Sequence, residues 1–178
     1  MKNKLQKWFL YFLGAVFVLV VAFSVFGPEG KQINLKEIEF RTTNSSELYF
    51  KNIRSYFYDK EEREDARFKL YRIKSRKEKL NFLLVSNWLM DESYIMAESN
   101  YSQFKIVWSF EGATDTITLN GQSNRAHYIF AAEVFEQLDR KAELWLLNSA
   151  TKVPFTEEEK SSLRTTLKDY FKLAGKLR

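Results

Sequence analysis

The chain has 178 residues, with 28 Lys or Arg, 23 Asp or Glu, one His and no Cys. The missing cysteine excludes disulfides, thiolate catalysis, zinc fingers and an acylated lipoprotein anchor. The net charge of +5 falls to a near balance of 25 basic and 23 acidic residues once Lys2, Lys4 and Lys7 are set aside. Nucleic acid, which asks for a dense basic face, is therefore not an expected partner.

Residues 1–7 form a short basic tail. Residues 8–26, WFLYFLGAVFVLVVAFSVF, carry no charge over nineteen positions. As a helix this run spans roughly 28 Å at ~1.5 Å per residue, close to the ~30 Å hydrocarbon layer of a bilayer. Its ends are aromatic, with Trp8, Phe9, Tyr11 and Phe12 at one and Phe23 and Phe26 at the other, as at membrane interfaces. The Lys cluster before it marks the cytoplasmic side by the positive-inside rule. The expectation is a single-pass anchor, N-terminus cytoplasmic and domain extracytoplasmic. A cleaved signal peptide ending near Ser24 is the alternative, but the run exceeds the usual apolar length of such peptides. Gly27 and Pro28 end the run, and 27–32 reads as a linker.

Residues 33–178 read as one α+β domain with an antiparallel sheet of about six or seven strands and two late helices. Ile38, Phe40 and Thr42 alternate with charged residues, Asn44–Ser46 looks like a turn, and Leu48 to Tyr58 reads as further strand. DKEERED (59–65) is an acidic tip. Seven basic residues follow within 67–79, where the apolar phase slips between Leu70 and Tyr71 as at a β-bulge. Leu80–Ser86 is a strand, and 87–100 is ambiguous between turn and short helix. Phe104, Ile106, Trp108 and Phe110 alternate clearly, Glu111–Asp115 turns, and Ile117 and Leu119 answer, which is a hairpin. Trp108 is expected in the core. Helices are expected near 124–140 and 156–174, the second opened by a Thr156–Glu159 capping box. Between them, 142–147 reads as a buried strand.

No motif names a reaction. His127 lacks a Gly-x-Ser-x-Gly elbow around the nearby Ser123. The 59–65 acids lack the spacing and glycine of an EF-hand loop. No phosphate-cradling glycine motif is present. No catalytic residue, metal ligand or cofactor is assigned. The acidic tip is expected to neutralise part of the basic run across a hairpin. The last helix carries Lys160, Arg164, Lys168, Lys172 and Lys176 at every fourth position, a slow stripe suited to an acidic partner or an anionic membrane surface. The functional expectation is a membrane-anchored extracytoplasmic binding module. Its partners would be the bilayer, through 8–26, and another envelope or membrane protein. A tethered hydrolase using carboxylates and a small apolar ligand-binding domain are the alternatives.

Overall fold

The structure is a computed structural model that describes residues 8, 11–14, 16–17, 33, 38–62, 67–77, 79–101, 105–148 and 151–177. The chain divides into two compact units, Met1–Lys31 and Gln32–Arg178. In the first, the described residues Trp8, 11–14, Val16 and Phe17 are helical and exposed. Among the described residues no helix is long and apolar enough to cross a membrane. The tail, the linker and most of the 8–26 run lie outside the described residues.

The second unit is α+β. Its helices are α1 (Asn44–Tyr49), α2 (Asn124–Asp139) and α3 (Glu157–Leu173). One antiparallel sheet has the order β1 (Tyr58–Glu62), β2 (Lys69–Ile73), β3 (Asn81–Asn87), β4 (Glu92–Glu98). The other has the order β6 (Ala113–Thr118), β5 (Lys105–Phe110), β7 (Glu143–Asn148), β8 (Thr151–Pro154). The described strands therefore number eight in two sheets of four, where about six or seven were expected in one.

Strand alternation decides which side chains reach the core. In the first sheet Tyr71, Leu84 and Ile95 stand in register across β2, β3 and β4 and join the main core. Leu70, Leu83 and Val85 point the other way and form a second buried cluster with Phe68, Tyr94 and Met96. The apparent phase slip at Leu70–Tyr71 is therefore not a bulge: the register is continuous from Lys69 to Ile73. A strand buried on both faces loses its alternation. In the second sheet Ile117, Ile106 and Leu146 share a row and face the same main core. The hairpin turn is tighter than expected. Glu111 and Gly112 both have positive φ, 50° and 84°, the two-residue geometry whose twist matches the flanking strands.

The late helices match their sequence cues. Ser123 caps α2 by accepting from the Ala126 N–H at 3.1 Å. Thr156 and Glu159 cap α3 reciprocally, Thr156 N–H to Glu159 Oε2 at 2.7 Å and Glu159 N–H to Thr156 Oγ1 at 3.2 Å. Tyr128, Phe130 and Val134 of α2 and Leu167, Tyr170 and Phe171 of α3 are buried in the main core.

Two expectations are corrected here. The ambiguous 87–100 segment holds β4, paired with β3 along its whole length. The segment 44–57, read as a turn at Asn44–Ser46 and strand from Leu48, is helical. α1 runs into a π-helical turn, Phe50–Arg54, and a 3-10 turn, Ser55–Phe57. The cause is local. Thr43 accepts from the Ser46 N–H, and Ser46 returns the bond to the Thr43 backbone, so the presumed turn is a helix start. Glu47 and Phe50 are buried, Arg54 is half-buried and Tyr58 is buried, spacings of three and four that place one face inward.

Candidate binding face

The inward face of the 44–57 segment is anchored by charge. Arg54 Nε donates to both oxygens of Asp169 on α3, at 2.8 and 2.9 Å, and the Tyr58 hydroxyl donates to Asp169 Oδ2 at 2.7 Å. Hydrogen bonding to Asp169 raises the Arg54 pKa above its ordinary value. Burial, and then the same carboxylate, push the Tyr58 phenol up. Both groups therefore keep their protons, as the geometry requires. Phe50 adds an edge-on ring contact to Tyr71 at 5.1 Å. Glu47, 7% exposed, accepts from Thr42 Oγ1 at 2.5 Å and pairs with Lys51 at 3.2 Å.

The outward face is apolar. Tyr49, Ile53, Tyr56 and Phe57 are 41%, 53%, 73% and 52% exposed. Aromatic and branched side chains gathered on one turn sequence in water are the feature that singles out a contact surface. Beside Tyr56 and Phe57 a groove of about 430 Å³ runs along α3, lined by Ile73, Lys74, Ser161 and Thr165 among others. Arg54 stacks over the Phe57 ring at 4.7 Å, and Lys74 Nζ donates to the Tyr56 carbonyl at 2.8 Å. The groove wall is thus held from two elements. Ser75, two residues past the end of β2, meets Ser162 of α3 at 3.3 Å.

The basic stripe of α3 is divided by its surroundings. Lys160 lies 2.5 Å from Glu157 and 3.7 Å from Glu143. Arg164 lies 2.6 Å from Asp139, and Lys176 lies 3.5 Å from Glu39. Lys168 is exposed, and Lys172 sits over the Tyr49 ring at 5.9 Å. Three of the five cations are therefore matched by acids of other segments or of the first helical turn, and Lys168 and Lys172 are not, among the described residues. Sequence spacing shows a helix stripe but not the acids that fold against it.

Part of the basic 67–79 run is neutralised, across the β1–β2 hairpin as expected and also by Glu98 of β4. Arg72 bridges Glu61 at 2.6 Å and Glu98 at 2.9 Å, Arg76 meets Asp59 at 2.5 Å, and Lys69 meets Glu62 at 3.4 Å. His127 is 2% exposed, and its Nδ1 accepts from the Ala97 N–H at 3.1 Å. Its role is to join α2 to β4. Trp108 is half-buried against the core rather than inside it.

The aromatic stripe and groove were not found from sequence. Leu48, Phe50 and the aromatics to Tyr58 have strand composition, and only the Thr43–Ser46 cap could have marked the helix. The chain matches no protein-family model, no curated protein and no solved structure.

Proposed function

We propose that the chain is a membrane-anchored, extracytoplasmic binding module, held by residues 8–26 and acting by contact rather than by chemistry. Its partner is another membrane or envelope protein that offers an apolar segment to the groove between Phe57 and α3. The observation that carries this reading is the groove itself. It is a shaped apolar site of about 430 Å³, within the ~300–1,000 Å³ range of binding sites. Exposed Tyr56 and Phe57 form one wall. Its carboxylate, Glu158, is exposed and paired with Lys77 at 3.0 Å, a setting that suits a polar rim better than an acid–base residue. The anchor is supported by the nineteen-residue uncharged run behind three lysines, and by helical, exposed apolar side chains at its described positions.

A photoreactive phenylalanine analogue at Thr165, in the full chain within its native membranes, tests the groove. A discrete protein adduct, lost in the Phe57→Asp variant and missing from a probe at Thr114, is the expected result. Adducts equally strong at Thr114, or none at Thr165, would overturn the groove as the binding site.

A further inference from the structure

Resting on the reading that residues 8–26 span the bilayer, we propose that the stripe Tyr49, Ile53 and Tyr56, with Lys172 beside it and Lys168 one turn back on the same side of α3, lies on the anionic surface of that same membrane.

Three observations converge on this occupant. The first is the chemistry of the stripe. Exposed Tyr and Ile on one helical face, flanked by Lys, match the lipid interface, where amphipathic rings sit at the headgroup level and cations meet anionic lipid.

The second is charge. Three acids beside the face are matched: Glu47 by Lys51, Asp169 by Arg54, and Glu158 by Lys77. Lys74, Lys168 and Lys172 remain as a positive excess, with no carboxylate in ion-pair range among the described residues. An anionic surface supplies the missing charge, and an uncharged one does not.

The third is reach. Ile33 packs against the main core, so six residues, 27–32, separate the end of the apolar run from a side chain fixed in the domain. Such a tether spans at most about 25 Å fully extended. The stripe also begins near Glu39, six residues after Ile33. Glu39 meets Lys176 near the C-terminal end of α3, and Ser46 Oγ donates to the Leu173 carbonyl at 2.8 Å. The first turn of α1, Tyr49 and Lys172 therefore lie together at the C-terminal end of α3. A short tether makes docking an intramolecular event, so weak contacts suffice.

The chain has no cysteine, which permits a single environment-sensitive dye at Ile53→Cys in the full chain, reconstituted in nanodiscs. The expected result is blue-shifted emission and quenching by nitroxide-bearing lipid. Both should increase with the share of phosphatidylglycerol and weaken with salt. Changing Lys168 and Lys172 together to Gln should lower the docked-to-free ratio at least about tenfold. A dye at Thr114→Cys should report water throughout. A watery Ile53 dye at low salt in anionic discs would overturn docking, provided the chain still resists alkaline extraction. So would protection that ignores lipid charge and the two Gln changes. Protection found in native membranes but not in pure lipid would assign the stripe to a protein instead. A chain released by alkaline extraction would remove the anchor, and the docking proposal with it.

Discussion

Arg54 and Asp169 tie the 44–57 segment to α3 through two hydrogen bonds from one guanidinium nitrogen, with Asp169 5% exposed. Removing the carboxylate strands a half-buried cation and the Tyr58 hydroxyl together. Asp169→Ala is expected to cost about 3–5 kcal/mol, the range for breaking a buried pair from one side. Arg164→Ala removes a pair whose side chains are 45% and 42% exposed and should cost about 1 kcal/mol or less. Urea unfolding of the full chain in mild detergent separates the two. Equal losses would mean that Asp169 is not the fastening described.

The two faces of the same segment make a second contrast. Phe50 is 1% exposed and Ile53 is 53% exposed. Phe50→Ala should destabilise by about 3–5 kcal/mol through the cavity it leaves. Ile53→Ala should change stability by about 0.5 kcal/mol or less. The reverse order in urea midpoints would place the helix the other way round.

His127 gives the stability a pH dependence. Burial lowers its pKa below the ordinary 6.5, and Nδ1 accepts the Ala97 N–H, so the native state holds it neutral. The unfolded chain takes up a proton that the native chain resists, so stability increases with pH across that window. The contribution is complete above about pH 6.5 and declines as pH falls from there toward the lower native pKa. Burial, with Glu136 and Asp115 nearby, acts in the opposite sense on Glu133, raising its pKa. That contribution is lost as pH increases through the carboxylate range, and it cancels when two variants are compared. His127→Asn can keep an acceptor for Ala97 without titrating. Its stability should therefore fall less than the parent's between about pH 7 and pH 5. Parallel pH profiles would show that His127 does not titrate on unfolding.

The late elements were legible because their cues are local. Thr156 and Glu159 sit three apart at a helix start, and Ile106 and Ile117 flank a Glu-Gly turn. What misled was burial set by distant partners. Leu70 and Tyr71 are both covered, so β2 shows no clean alternation. Trp108 lies in a strong alternating run yet stays half-buried against the core. Ile53 to Tyr58 have the aromatic content of a strand, but Thr43 starts a helix and Asp169, 115 residues beyond Arg54, decides its inner face. The stripe from Lys160 to Lys176 was readable as a stripe. Glu143, Asp139 and Glu39, which divide it, come from other elements.

Residues 32–178 carry the whole described core, including Phe50, Leu84, Ile106 and Phe171. Expressed without the first 31 residues, they should give one cooperative urea transition with tyrosine and tryptophan signals that move together. Non-coincident transitions would show that Met1–Lys31 supplies part of the packing.

The sharpest test of the anchored, extracytoplasmic arrangement is cysteine accessibility in intact cells. With no native cysteine, Lys2→Cys and Thr114→Cys each place a single thiol in the full chain. A membrane-impermeant maleimide should label Thr114→Cys in intact cells and Lys2→Cys only after permeabilisation. Labelling of Lys2→Cys but not Thr114→Cys in intact cells, or of neither until the cells are opened, would contradict it.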